Sequence, residues 1–184
     1  EAAEEILRRN GIYDVQVIHI PGNLTDHYNP GNKTLGLSDT VYQSSSVAAV
    51  GVAAHECGHA VQHAENYGPL NLRSSLVPVA NLGSTLAWPL FFVGLIFSMR
   101  PLLTAGIVLF SAAVLFQLVT LPVEYNASSR ALRLLSETGI LGDNEVRGSK
   151  KVLSAAALTY VAALAGSVLQ LLRLLILAGG RNRD

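Results

Sequence analysis

The sequence predicts a mainly α-helical membrane protein with a small β element before its first long helix. Three observations lead to this fold class. The 184-residue chain is 50% hydrophobic and 14% charged, whereas ordinary soluble domains have roughly 25% charged residues. Three long stretches, 74–99, 101–123 and 152–172, contain no charged residue. Shorter segments that alternate apolar and polar residues, separated by turn residues, come before them.

The N-terminal region is predicted to contain a short helix and several extended segments. Apolar residues recur among charged ones over residues 1–10, which predicts an amphipathic helix that ends at Gly11. Extended segments separated by turn clusters follow, at residues 14–20, 24–28 and 33–42. The serines at 44–46 can cap a following helix.

That helix carries the sequence "VAAHECGHAVQH", in which His55, Glu56 and His59 have the order H-E-x-x-H. Residues four apart lie on one helix face, about 6 Å apart along the axis, so both imidazoles can bind one ion. Glu56 can reach a water molecule on that ion and act as the general base. We therefore predict a catalytic zinc centre rather than a helix with two structural histidines.

A catalytic zinc centre needs a third protein ligand, and the residues alone leave it open. On a straight helix His63 lies about 12 Å beyond His55, too far to share one ion comfortably. Asp26 and His27 are possible ligands in an extended turn region. More distant candidates are the carboxylates of a later polar loop: Glu137, Asp143 and Glu145. Glu124 directly follows an uncharged stretch, where an ionisable group is a functional candidate by default.

The uncharged stretches are predicted to be three membrane spans, at about 75–98, 101–121 and 152–178. Each has about the 20 apolar residues that a helix needs to cross a hydrocarbon core of roughly 30 Å. A soluble bundle is the alternative, but so short a chain could not easily cover three uncharged helices. Pro78 and Pro89 predict a kink in the first span. We therefore divide the chain into a metal-helix part, 1–73, and a membrane part, 74–184, with Glu124 in a loop or helix between the second and third spans.

Charge and cysteine content narrow the location and the partners. The formal net charge is zero, so nothing in the overall charge favours nucleic acid. The single cysteine, Cys57, excludes an intramolecular disulfide and fits a reducing compartment. Most basic residues precede the first span or lie between the second and third, whereas Arg100, Arg181 and Arg183 fall on the opposite side and Arg173 near the boundary. The positive-inside rule therefore predicts a multi-pass cell-membrane protein whose metal site faces the cytoplasm.

Four motifs spread over nearly the whole chain resemble those of the YugP-type neutral zinc metallopeptidases of bacterial membranes. They are "LTDHYNP", "AAHECGHAVQH", "LPVEYNASSRAL" and "AAALTYVAAL". The resemblance implies a membrane-bound zinc endopeptidase that acts on polypeptides. It also implies an N-terminal membrane anchor that would precede Glu1.

A more distant similarity implies how the zinc ligands are completed. "HECGH" followed by "EYNAS" is similar to the paired motifs of HtpX-like and CAAX prenyl endopeptidases, which are gluzincins. In those proteins the glutamate of the second motif is the third zinc ligand, which implies Glu124 here. The aspartate of their second motif corresponds to Ser128 in this sequence. The polar partner that holds an imidazole is therefore expected to be Ser128 or Asn126.

The resemblance also implies where the substrate binds. In related zincins an edge strand before the metal helix pairs with an extended substrate, which here implies Asp26, His27 and Tyr28. The oxyanion that develops on the scissile carbonyl needs a further hydrogen-bond donor. The sequence offers four candidates and does not choose among them: His27, Tyr125, Arg130 and Tyr160.

Two other function classes are alternatives to a protease. A metal transporter should carry ionisable residues within its spans, and these stretches have none. A catalytically inactive membrane scaffold, or a protein that only binds metal, has no reason to keep Glu56. We therefore predict a zinc endopeptidase whose partners are a polypeptide substrate and the lipid bilayer, with no nucleic acid.

Overall fold

The computed structural model describes residues 1–180, and over this range the chain forms five helices and three strands. The helices, α1 to α5, are Ala2–Arg9, Val47–Ala64, Gly68–Ile96, Arg100–Thr138 and Asp143–Gly180. The strands, β1 to β3, are Gln16–His19, His27–Asn29 and Thr34–Leu37. The predicted fold class, mainly helical with a small β element before the metal helix, is confirmed. The prediction that the metal site faces the cytoplasm also used Arg181 and Arg183, which lie outside the described residues.

The three strands form one sheet in the order β1–β3–β2. β1 runs parallel to β3, and β2 pairs antiparallel to β3 with Tyr28 opposite Leu35. The central strand contains Gly36, where a Cβ atom would come within 2.9 Å of Ile20 Cδ1. Because β3 lies in the middle, β2 is an edge strand with one side of its backbone unpaired to the sheet.

Helix α2 begins at a serine cap and packs closely through small residues. Ser46 is the N-cap, and its hydroxyl accepts a hydrogen bond from the Ala49 backbone N–H at 3.2 Å, as the sequence predicts. A Cβ atom on Gly58 would lie only 2.5 Å from the Ala127 carbonyl oxygen of α4. Glycine at this position therefore lets the two helix backbones approach, which brings the residues around Ala127 close to the histidines of α2.

The chain divides into two compact units, and α4 and α5 each contribute residues to both. The first unit comprises residues 1–70 and 123–158. Its apolar core joins α1, β3, α2 and the parts of α4 and α5 that belong to it, with Ile6, Leu35, Ala54 and Leu135 fully buried. The boundary between the metal-helix part and the membrane part, placed near residue 73, stays a prediction.

The second unit comprises residues 71–122 and those from Thr159 onward. Three helices are long and apolar enough to cross a membrane: Gly68–Ile96, Arg100–Thr138 and Asp143–Gly179. The first contains Pro78 and Pro89 within the helix. The second continues well beyond the predicted end of its span, so Glu124 lies within a helix rather than in a loop.

Candidate metal centre

Helix α2 presents His55 and His59 on one face, as their spacing requires. The two imidazole rings lie with their centroids 4.8 Å apart and their planes at 85°. The side chain of His55 is 15% exposed and that of His59 is 9% exposed. Both rings are therefore largely removed from water.

Glu124 reaches both histidines from α4. Its Oε2 atom lies 3.2 Å from His55 Nε2 and 3.6 Å from His59 Nε2. One ligand atom from each residue lies within 4.8 Å of the other two, and the glutamate side chain is 4% exposed. Ligand atoms that share a tetrahedral zinc ion at about 2 Å are roughly 3.3 Å apart. Two imidazoles and one carboxylate at these separations therefore fit a zinc ion, and they are the only such group among residues 1–180.

The outer nitrogen of each imidazole has its own polar partner. His55 Nδ1 lies 3.1 Å from Ser128 Oγ, and His59 Nδ1 lies 3.0 Å from Gln62 Oε1. Both rings are thereby oriented with Nε2 toward Glu124. Such partners fix the orientation of metal-binding histidines.

Glu56 is buried beside this group, with only 7% of the residue exposed. Among the described residues, its carboxylate makes no hydrogen bond or ion pair. Burial raises the pKa of Glu56, and the nearby carboxylates of Glu124 and Asp26 raise it further, whereas His59 and His55 lower it. A carboxyl group in such an environment can take up and release a proton at a higher pH than an exposed glutamate.

The predicted substrate-binding residues lie at the start of β2. The Asp26 carboxylate accepts hydrogen bonds from the backbone N–H and the hydroxyl of Ser38, both at 2.8 Å. His27 Nδ1 lies 2.9 Å from the Thr25 carbonyl oxygen. The Tyr28 hydroxyl lies 2.7 Å from His63 Nδ1 on α2. These contacts hold the edge strand beside the helix that carries the histidines.

His63, the nearest alternative to Glu124 in the sequence, is outside the group of converging ligand atoms. Its ring contacts Tyr28 instead, with ring centroids 5.8 Å apart.

The thiol of Cys57, the residue after Glu56, is fully buried and lies 3.5 Å from the Ala3 carbonyl oxygen. Burial raises the pKa of Cys57, so this thiol has the character of a packing residue.

Two of the candidates for stabilising the oxyanion, Arg130 and Tyr160, differ in their surroundings. Arg130 is engaged within the first unit: its Nε donates to Asn126 Oδ1 at 2.7 Å, and its Nη1 lies 2.6 Å from Glu65 Oε2. Tyr160 belongs to the second unit and is 41% exposed. Both assignments stay predictions.

Gln62 is a residue of this site that sequence reasoning missed. It is fully buried, and its amide contacts His59, Val123 and Asn126. The available signal was a glutamine three residues after His59, because residues three apart are neighbours on a helix face. Asn126, expected as a direct partner of an imidazole, contacts Gln62 and Arg130 instead.

Comparisons with known proteins point to zinc metallopeptidases. A family model described as "Putative neutral zinc metallopeptidase" matches residues 1–179. The chain is also similar to a curated Bacillus subtilis (strain 168) protein named "Putative membrane protease YugP". The two are 50% identical over 185 residues, which cover 100% of this chain and 82% of that protein. No solved structure matches the chain.

Proposed function

Because the chain belongs to the family of neutral zinc metallopeptidases, we propose that it is a gluzincin-type membrane endopeptidase. In this proposal His55, His59 and Glu124 hold the zinc ion and Glu56 is the general base. The observation that carries it is the convergence of three ligand atoms within 4.8 Å, although His55 and Glu124 are 69 residues apart in sequence. Two imidazoles and a carboxylate leave a position for a reacting group, as a catalytic site requires.

The proposed chemistry assigns a separate task to each side chain. Bound zinc supplies a Lewis acid that polarises the scissile carbonyl and makes water a stronger nucleophile. The Glu56 carboxylate accepts a proton from the attacking water as its oxygen bonds to the carbonyl carbon. Glu56 then gives this proton to the amine nitrogen as the carbon–nitrogen bond breaks. The lack of any hydrogen-bond partner for Glu56 among residues 1–180 supports this role, since its carboxylate is free to take that proton.

We further propose that an extended polypeptide pairs with the edge strand β2. Main-chain pairing of this kind gives affinity with little dependence on sequence. The position of Asp26 supports the proposal, because its charge is close enough to raise the pKa of Glu56. In this arrangement Asp26 holds the start of the strand, while His27 and Tyr28 are next to the bound chain. The substrate class is therefore an unfolded or flexible polypeptide.

The substitution Glu56→Gln tests the mechanism. It removes the base and leaves the three ligands, so the protein should keep its zinc while cleavage of an unstructured protein such as casein falls at least about 100-fold. Zinc content and cleavage are measured on the same detergent-solubilised sample. Glu137→Gln is the matched control, because its side chain is 62% exposed and should leave both quantities unchanged.

Unaltered cleavage by Glu56→Gln would contradict the assignment of the base. The same inactive variant also tests the substrate site, since it should trap an extended peptide. A structure of that complex in which the peptide does not contact residues 26–28 would contradict pairing with β2.

We also propose that the metal centre faces the cytoplasm, from the distribution of basic residues. A membrane-impermeant thiol reagent added to intact cells tests this. It should not label Asn32→Cys, which lies in the exposed turn before β3, but should label Phe97→Cys between the first two long helices. The native Cys57 is fully buried and gives little background. The reverse pattern of labelling would overturn the proposed sidedness.

A further inference from the structure

We propose that Gln62 is a positioning residue of the metal centre, an inference that rests on the proposed zinc site. Its side-chain amide fixes the orientation of His59 and, at the same time, holds the segment of α4 that carries Glu124. One buried amide would thus couple two ligands that come from different helices. Gln62 itself does not touch the metal or the substrate.

The contacts of Gln62 all lie in the interior of the first unit. Its Oε1 atom lies 3.0 Å from His59 Nδ1. Its Nε2 atom donates to the Val123 carbonyl oxygen and to Asn126 Oδ1, both at 2.9 Å. The residue has 0% exposure, so water does not compete for these bonds. Val123 directly precedes Glu124, and the amide is therefore hydrogen-bonded to α4 next to the proposed third ligand.

The direction of the Gln62 amide follows from a neighbour that can only donate. The guanidinium of Arg130 has no acceptor, and its Nε points at the side chain of Asn126 at 2.7 Å. The oxygen of Asn126 must therefore face Arg130, and the same oxygen faces Gln62. The Val123 carbonyl is a second acceptor on that side. The NH₂ group of Gln62 must point at these two acceptors, which turns its oxygen toward His59.

This direction in turn selects the tautomer of His59. An amide oxygen can only accept, so His59 Nδ1 must carry the proton that it receives. The Nε2 atom then presents its lone pair toward Glu124, as a metal ligand requires. The Ser128 hydroxyl beside His55 can both donate and accept, and so it does not impose a tautomer on that ring. The two histidines are thus held by partners of different specificity.

The outer part of the network fixes Asn126. Arg130 joins Asn126 to Glu65 at the end of α2, and its guanidinium carbon lies 5.8 Å from the centre of the Tyr67 ring. The Arg130 side chain is 15% exposed, whereas Glu65 is 54% exposed. The network therefore runs from the buried ligand to the surface. Each member has a hydrogen-bond partner, which is the condition for a buried polar group to be stabilising.

Zinc affinity of the full chain in detergent, measured by competition with a chelator, tests the proposal with two substitutions. Gln62→Met keeps the length of the side chain but removes every hydrogen bond. It should weaken zinc binding about 10- to 100-fold, the usual cost of losing a partner of a ligating histidine. Gln62→Glu keeps an oxygen for His59 Nδ1 and should weaken zinc binding less than about tenfold.

A purely structural role for Gln62 predicts the opposite order. Methionine is tolerated in an apolar interior, whereas a carboxylate that faces the oxygens of Val123 and Asn126 is not. Thermal unfolding of the metal-free variants measures the structural cost of each substitution separately from its effect on zinc affinity. Gln43→Met is the matched control, since Gln43 is exposed in the first unit and should leave zinc affinity unchanged.

A further control separates orientation from charge. The double substitution Gln62→Met with Asn126→Asp adds a negative charge near the site but no acceptor for His59, and it should not restore affinity. Restoration by that change would mean that charge, not orientation, is the contribution of Gln62. That result would overturn the proposal.

Wild-type zinc affinity in Gln62→Met would overturn the inference while leaving the proposed function intact. Failure of the unsubstituted protein to bind zinc would instead overturn the proposed function. If circular dichroism shows that Gln62→Met does not fold, Asn126→Leu replaces it. That substitution removes one acceptor from Gln62 and should weaken zinc binding by several-fold, and an unchanged affinity there would count against the inference.

Discussion

The two compact units of the chain differ in how far their apolar side chains are exposed. In the first unit, residues such as Leu35 and Leu135 are fully buried in a core that joins the sheet to the helices. In the second unit, Ile96, Leu169 and Ile176 are 68–73% exposed. The apolar cluster that this unit does bury is small and contains Phe91, Leu103 and Leu174.

The difference indicates that the two units are adapted to different solvents. An exposed apolar surface is costly in water, but lipid chains are as apolar as leucine and cover it at no cost. The first unit instead buries polar groups that converge on the metal centre, among them Glu56, His59, Gln62 and Glu124. Substitutions of His59, Gln62 or Glu124 should therefore alter metal binding, whereas charged substitutions on the exposed apolar surface of the second unit should alter membrane insertion.

The largest effect is expected from Glu124→Ala, which should eliminate zinc binding and lower the thermal stability of the first unit. A ligand present at 100 times its Kd stabilises the native state by about 2.7 kcal/mol, and that contribution would be lost. Metal analysis and thermal unfolding with and without chelator measure both effects. His63→Ala should keep its zinc. Zinc lost from His63→Ala but retained in Glu124→Ala would mean that the third ligand is assigned wrongly.

A charged residue introduced on the exposed surface of each unit tests whether the two units are adapted to different solvents. Leu169→Arg in α5 should impair insertion, since arginine at the centre of a span costs about 2.5–3.5 kcal/mol. Tyr13→Arg, at a residue of the first unit that is 79% exposed, should change insertion little. Glycosylation mapping in microsomal membranes measures the inserted fraction. Equal insertion of both variants would contradict the assignment of α5 as a span.

A smaller effect is expected from adding one methyl group to a glycine in each unit. Gly58→Ala forces a Cβ atom to within 2.5 Å of the Ala127 carbonyl, so the helices must separate. We expect a loss of roughly 1–3 kcal/mol in the free energy of unfolding, together with weaker zinc binding. Gly166→Ala meets no atom within 4 Å and should be neutral or stabilise α5 by up to about 1 kcal/mol. Equal stability of the two variants would show that close packing at Gly58 is unimportant.

Local features of the fold follow directly from the sequence. The helical period predicts that His55 and His59 share a face, and the serines at 44–46 predict where α2 begins. The lack of charge predicts the three long apolar helices. Each of these depends on residues close together in the chain, and so a local pattern contains the information.

Features that depend on distant residues were not predictable from the residues alone. Glu124 was one of several candidate ligands until a family resemblance favoured it, because no local pattern brings α4 beside α2. The parallel pairing of β1 with β3 has no local signal either. The spacing of Gln62 from His59 is a local signal, but the contact of Gln62 with Val123, 61 residues away, has none.

The order of the ligands along the chain has a consequence for biosynthesis. Translation at about 5–20 residues per second separates the appearance of His55 from that of Glu124, 69 residues later, by roughly 3–14 s. During that interval the nascent chain contains the H-E-x-x-H sequence but lacks the carboxylate of the proposed third ligand. The helix α3 and most of the apolar part of α4 are made before this carboxylate. On the proposed assignment, a ribosome-bound chain therefore completes its set of zinc ligands only after α3 and most of the apolar part of α4 have been synthesised.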